Sequence, residues 1–442
     1  MAEKKLQKLF IVCALLTITI VALTALSLTT IAPLIASDLQ AGSIFPLIFG
    51  LPAAAQVVST VVAGIYVDAK GTRAPLLQGV AFLFFSIVLS GLAPNISTFL
   101  VARTLDGIGN GFTLVSLYVL VTHILDEGMQ ARGIAAFSYA WVIPSFGGPF
   151  LAGIIADAWQ WRAIFWILAI GFLPVILFCM RLIPNLTTKD GAFTPNRRLI
   201  WASVAGAGIV MLQVGAHATF APFYIFLGAV LGIVGIGILL PTGTLRARPG
   251  IPALLGSRGL INGAFISAEA FIPLLLQHGR HWSTAMSGIL ICIGAATWAI
   301  GSAIAARVQK HQQALPLAGI SLCTLGLFLT LFTSWNGTPI WFLVLGWTLA
   351  GLGVGLAYPI IALLLLRAAP ENRKGEVSSQ MQVADAMGMA LLMGFISAIY
   401  ASVAHLPQPW QYLPVLGLSF IAAFLSAICA LRGKTHRRQY QL

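Results

Sequence analysis

Gly64-Ile-Tyr-Val-Asp68-Ala-Lys-Gly71-Thr-Arg73-Ala-Pro-Leu76 is a short polar turn set between two apolar runs, 44–67 and 75–93. Gly64 lets one helix approach another closely, Asp68 closes the first run with a carboxylate, Gly71 permits a tight turn, and Arg73 supplies a countercharge. Each flanking run is close to the roughly 20 apolar residues that a helix needs to cross a bilayer. The turn reads as the join between two membrane helices.

Outward from this turn the pattern repeats. Runs at 8–36, 97–123, 132–156 and 161–183 complete a first set of six. A polar stretch from Pro184 to Arg198, with Lys189, Asp190, Pro195 and Arg197, then reads as a cytoplasmic linker. Leu199 to Pro241 follows, and as one helix it would extend about 65 Å, twice the roughly 30 Å hydrocarbon core. It divides into two spans that turn near His217 to Pro222. After a basic loop from Arg246 to Arg258, runs at 258–277, 283–306, 314–334, 339–367, 377–404 and 411–431 bring the count to fourteen. None alternates with period two, which argues against a β-barrel.

Composition leads to the same class. The 442 residues are 59% hydrophobic and 8% charged, with a mean hydropathy of +0.94. A soluble domain carries about 25% charged residues, so this chain has too little polar surface to face water throughout. The net charge of +13 does not mark a nucleic-acid binder, because the basic residues sit in short loops between apolar runs. With both termini placed in the cytoplasm, 22 of the 25 basic residues fall inside, Arg162 and Arg280 fall outside, and Arg103 lies within a span. Trp159, Trp161, Trp282, Trp410 and Tyr412 gather at the outer ends as interfacial anchors. Lys4, Lys5 and Lys8 precede an apolar stretch from Leu9 to Ala36, far longer than the about 7 to 15 residues of a cleavable signal, so it reads as a retained first span. Cys13, Cys179, Cys292, Cys323 and Cys429 all fall in apolar runs, where thiols behave as small hydrophobes.

A slide of the chain by 244 positions lays Gly107, Gly109 and Gly111 on Gly351, Gly353 and Gly355, and Glu127 on Glu371. Two six-helix halves joined by a linker follow from that duplication, an arrangement suited to alternating access. The expected organisation is an N-terminal bundle over 1–184, a linker with two extra helices over 185–257, and a C-terminal bundle with a tail over 258–442.

Three motifs carry a family resemblance. The Gly64–Leu76 turn resembles the cytoplasmic signature loop of the major facilitator superfamily, and the resemblance implies a gating role for Asp68, Gly71 and Arg73. Its counterpart in the second half has Ala305 where an aspartate would sit. Arg103-Thr-Leu-Asp106-Gly107-Ile-Gly109-Asn110-Gly111 is similar to the family's Arg and Gly-rich motif, usually linked to proton coupling. Arg103, Asp106 and Asn110 share a 60° arc of one helix, flanked by glycines. Pro144-Ser-Phe-Gly-Gly148-Pro149-Phe-Leu-Ala152-Gly153, followed by Trp161-Arg162, resembles the family's antiporter motif, with Gly148 and Pro149 allowing the helix to bend and pack. With two extra central spans, the resemblance points to the fourteen-span drug:proton antiporter branch. One departure stands out. Many members of that branch have an aspartate nine residues before the proline of the first span, where this chain has Thr24, nine before Pro33.

Four charges lie well inside the runs: Arg103, Asp106, Glu269 and Asp385. Each costs about 2.5 to 3.5 kcal/mol at a helix centre on insertion scales. They are candidates for one central site, in which carboxyls desolvated in a bundle load and release a proton as access alternates. Glu269 has no basic residue in its own run. The histidines lie at run ends, in loops or in the tail. Asn110, Gln56, Tyr139, Trp141, Gln213 and Tyr358 occupy candidate inward positions for a broad substrate pocket.

The expected activity is proton-coupled export of small amphipathic compounds or drugs from a bacterial inner membrane, by a monomer whose partners are its substrate, protons and lipid. Export or flipping of an endogenous lipid, glycolipid or metabolite is the alternative, favoured by the absence of an acid from the first span. A non-transporting scaffold or sensor would need a soluble effector region, and the longest stretches outside the runs are short. No nucleophile, base or metal constellation stands at working spacing, so neither an enzyme nor a cofactor is expected.

Overall fold

Long apolar runs without competing polar groups satisfy their backbone hydrogen bonds internally, and each contains helix among the described residues of the computed structural model. The structure describes residues 2–126, 129, 137, 140–141, 144–145, 147–186, 188, 191–192, 197–215, 220–308, 313–335, 337–368, 374–403, 405–407 and 410–434. Among these residues there are fourteen α-helices: α1 (Ala2–Asp38), α2 (Leu47–Lys70), α3 (Arg73–Leu92), α4 (Ile96–Ile124), α5 (Gly148–Ala158), α6 (Trp161–Leu182), α7 (Arg197–Gly215), α8 (Ala221–Leu239), α9 (Ile251–Leu274), α10 (Thr284–Arg307), α11 (Leu315–Leu331), α12 (Trp341–Ala368), α13 (Lys374–Val403) and α14 (Leu413–Lys434). Twelve stretches are long and apolar enough to cross a membrane. Neither α5, at 11 residues, nor α7 is among the twelve.

Local sequence sets several helix ends. Asn95 caps α4 by accepting from the Thr98 N–H at 2.9 Å. Gly71, at φ 79°, makes the left-handed turn after α2, and its N–H donates to the Val67 carbonyl at 2.9 Å. Gly250 turns the chain at φ 93°, and Pro252 in the first turn starts α9 at Ile251. This last end corrects the sequence reading. Arg258 was assigned to the edge of a basic loop, but it lies two turns inside α9, because a helix starts at its capping signals rather than where its residues become uniformly apolar.

The described chain divides into two compact units. One comprises Met1–Ala41, Ala55–Ser203 and Ser283–Gly288; the other comprises Gly42–Ala54, Val204–Trp282 and Ile289–Leu442. In the first, α1 packs on α5 and α6, and α3 packs on α4 and α6. In the second, α11 packs on α12, while α9 packs on α13 and α14, with a Ser257–Ser426 hydroxyl pair at 3.0 Å crossing the α9–α14 contact.

The internal duplication has a structural counterpart. Shifting α4 by 244 residues reproduces the bounds of α12 to within one residue. The glycines keep the same roles. Gly109 fits against Leu83 and Gly79 of α3, as Gly353 fits against Gly319 and Cys323 of α11. Gly111 fits against Ser59 and Thr60 of α2, as Gly355 fits against Trp298 and Gly301 of α10. A side chain at these points would overlap the neighbouring backbone. Gly353→Val is therefore expected to force α11 from α12 and destabilise the fold by about 1 to 3 kcal/mol or more. Gly64 has nothing within 4 Å of an added carbon, so the close helix approach expected of it is not made, and Gly64→Ala should leave stability unchanged or raise it slightly. Thermal melts of the two detergent-solubilised variants make the comparison.

Candidate functional site

The intramembrane charges fall into three arrangements. In α4, Arg103 and Asp106 are one turn apart and form an ion pair, Nη2 to Oδ2 3.2 Å, with 6% and 8% of their surfaces exposed. Asn110, the next turn on, donates Nδ2–H to the Asp106 backbone carbonyl at 3.0 Å and to Oδ2 at 3.3 Å. The helical spacing that joins these residues in the sequence also joins them in space, so this cluster was legible in advance. The buried Asn110 Oδ1 has no partner among the described residues.

The second arrangement involves Arg258, which sequence reasoning missed. From α9, its Nε and Nη2 both donate to Asp385 Oδ2 of α13, at 3.1 and 2.9 Å. Its Nη1 donates to the Tyr358 carbonyl at 3.2 Å, and its guanidinium lies 3.7 Å from the centre of the Tyr358 ring on α12. Asn262, one turn along α9, donates to the Asp385 carbonyl at 3.2 Å. Such a pair in a dry interior needs close geometry and extra hydrogen bonds to offset desolvation, and this one has both. Asp385 Oδ1 is buried without a partner among the described residues.

Glu269 is the third. It lies on α9, 5% exposed, with no hydrogen-bond or ion-pair partner among the described residues. Its ionised form has no countercharge to offset the loss of water, so its charge state bears directly on the stability of the bundle. Arg258, Asn262, Phe265 and Glu269 stand at steps of four, three and four residues, which is one face of α9, so the helix of Glu269 does carry a basic residue, contrary to the sequence reading. Phe265 stacks on Trp347, centroids 4.5 Å apart and planes 14° apart, and meets Trp298 edge-on at 5.2 Å. Trp298 meets Tyr358 at 5.7 Å. Of these rings only Tyr358 was expected; the stripe emerges once Arg258 is counted as helical.

The other expected positions divide. Gln56 is half-buried on α2, Trp141 is 41% exposed, and Gly148 and Pro149 are buried at the start of α5. Tyr139 lies outside the described residues. Gln213 is on α7, and its side chain is not described. Asp68 and Arg73 are both exposed and form no ion pair with each other or with another described residue, so the expected countercharge at the α2–α3 turn is not made. Water at an exposed turn leaves such a pair little net attraction. Arg162 instead pairs with Asp38 at 2.8 Å, where Trp161 Nε1–H also donates at 3.1 Å.

A family model described as Major Facilitator Superfamily matches residues 13–393. The chain belongs to the Major Facilitator Superfamily. The chain spans about half to two thirds of the length of several of the curated relatives it matches. It is 24% identical over 349 residues to the multidrug resistance protein Stp of Mycobacterium tuberculosis, a match covering 76% of this chain and 65% of that one. It is 22% identical over 361 residues to the methylenomycin A resistance protein of Bacillus subtilis, covering 78% and 76%. Among solved structures, the peptide transporter POT in complex with sulfate superposes with a TM-score of 0.69 at 15% identity, over 96% of this chain and 93% of that one. The human organic anion transporter TETRAN superposes with a TM-score of 0.62 at 16% identity, over 95% and 99%. These structural likenesses establish the superfamily fold.

Proposed function

We propose that this chain is a proton-coupled exporter of small amphipathic compounds, working by alternating access as a monomer in a bacterial inner membrane. All fourteen helices span the bilayer in this reading, both termini face the cytoplasm, and the chain falls in the fourteen-span drug:proton antiporter branch. Bundles over 1–184 and 258–442 flank the two extra helices of 185–257. The multidrug resistance relative supports the direction of transport and the breadth of cargo.

The observation that carries the reading is the buried carboxyl of Glu269, which has no partner among the described residues, whereas Asp106 and Asp385 are each held by an arginine. Cargo enters from the cytoplasm or inner leaflet while Glu269 and Asp106 are ionised. A proton arriving from outside neutralises the site and releases the cargo outward. Arg103 and Asp385 set the electrostatics around that exchange. Asn110, Gln56, Tyr139, Trp141, Gln213 and Tyr358 line the pocket. Asp68, Gly71 and Arg73 act at the cytoplasmic gate, and Gly148 and Pro149 provide the bend.

The test uses liposomes containing purified protein, an acidic lumen and a luminal pH dye, to which cationic, neutral and anionic amphiphiles are added outside. Alkalinisation of the lumen that depends on both protein and amphiphile is expected. Absence of such flux for every compound, with monodisperse and oriented protein, would count against the reading.

A second reading, export or flipping of an endogenous lipid, glycolipid or metabolite, has one specific support. The first helix has no acid from Leu9 to Ala36, and Thr24 spends its hydroxyl on the Ile20 carbonyl at 2.8 Å. A response confined to neutral or lipid-like compounds in the same assay would favour it.

A further inference from the structure

Helices α1 and α6 run side by side with contacts at three levels. At one end Asp38 meets Trp161 and Arg162. Farther along, Ile20 lies against Gly171, where an added carbon would stand 3.4 Å from its Cδ1. At the other end the Sγ atoms of Cys13 and Cys179 are 3.1 Å apart. Both cysteines are free and buried, 0% and 2% exposed, and each lies within the first compact unit. The other three cysteines, Cys292, Cys323 and Cys429, belong to the second unit.

A pair of thiols at this separation is poised for covalent closure. A disulfide bond is about 2.05 Å long, so the sulfurs need to approach by only about 1 Å. The polar clamp at the Asp38 end and the Ile20–Gly171 contact hold the two helices side by side along the length that carries the pair. Burial excludes charged reagents, so the oxidant that reaches the pair is a small membrane-permeant one.

We propose that Cys13 and Cys179 are an oxidation site, closing to an intramolecular disulfide that ties α1 to α6. With a permeant diazene dicarboxamide as oxidant, one cysteine thiolate adds to the N=N bond to give a sulfenyl hydrazine. The second thiolate attacks that sulfur, the S–S bond forms, and the hydrazine leaves. Two thiol protons and two electrons pass to the diazene, and nothing else is consumed. The link lies within a single unit, so it stiffens that unit. It also closes a long loop of sequence, which restricts the unfolded chain and raises thermal stability.

The experiment treats the purified full-length chain with diamide, then titrates thiols after denaturation and maps peptides without reductant. The five thiols should fall to three. One linked species should join the peptides of Cys13 and Cys179, with a mass lower by two hydrogens, and dithiothreitol should reverse it. The oxidised protein should melt higher than the reduced one. Cys13→Ala, with four thiols, should lose none and show no shift in melting, and Cys179→Ala should behave the same way. Retention of all five thiols, links through other cysteines, thiol loss that persists in Cys13→Ala, or a mass gain of oxygen would each overturn the assignment. Size-exclusion profiles of the two variants establish that they are folded.

Discussion

Glu269→Gln is expected to reduce pH-gradient-driven transport to the level of protein-free liposomes while leaving the protein folded. The substitution keeps the volume and polarity of the side chain, exchanges one carboxyl oxygen for an amide NH2, and removes its ability to ionise. No described residue pairs with Glu269, so the change strands no countercharge, in contrast to an ordinary buried ion pair. Stability should therefore hold or rise slightly, because the amide cannot carry a charge into the bundle. Counterflow of labelled cargo without a pH gradient separates binding from coupling. It should persist in the variant, and it should lose the pH dependence seen in the wild type. A variant that transports normally under the gradient would remove Glu269 from the mechanism, and one that melts well below the wild type would make it a structural residue.

Replacing Arg258 should have the largest effect on stability. Arg258→Leu leaves the Asp385 carboxylate buried without the two guanidinium hydrogen bonds at 2.9 and 3.1 Å. Breaking a buried pair by removing one partner costs about 3 to 5 kcal/mol, chiefly because the surviving charge has nothing to offset its desolvation. The variant also loses the guanidinium stacked on Tyr358 and the hydrogen bond to its carbonyl, which ties α9 to α12. Poor expression or a strongly lowered melting temperature is the expected result. The double variant Arg258→Leu/Asp385→Leu removes both charges and should recover most of the loss, since an apolar pair in the same place can be nearly neutral. A double variant as unstable as the single one would mean that packing around Arg258, not its pairing with Asp385, holds α9 to α13.

How much of this was readable in the sequence follows from what each signal measures. Hydropathy located the apolar runs because a bilayer demands length and apolarity from each, and each run contains helix among its described residues. The α4 cluster was legible because Arg103, Asp106 and Asn110 sit on one helix, where spacing alone fixes their proximity. The Arg258–Asp385 pair was not, because its partners stand 127 residues apart on different helices. A window that counts apolar residues also trims a polar residue from a helix end, which is how Arg258 was left in a loop. The Gly250-Ile251-Pro252 start was the signal that placed it correctly. Trp298 and Trp347 were hidden for a related reason. A tryptophan in an apolar run says nothing of which helix it faces, and only the contacts with Phe265 bring the two together. At the α2–α3 turn the reverse happened: Asp68 and Arg73 are close in sequence, yet both face solvent and do not pair.

The central claim is that buried carboxyl groups exchange protons for cargo. Proton release on binding tests it most directly. Purified protein in weakly buffered detergent solution, with a pH indicator, is mixed with an amphiphile that drives flux in the liposome assay. The account predicts a release of protons that rises with occupancy, saturates in proportion to the protein, and disappears in Glu269→Gln, which strands no countercharge. Saturable binding of the same amphiphile with no proton released from the wild type would contradict it.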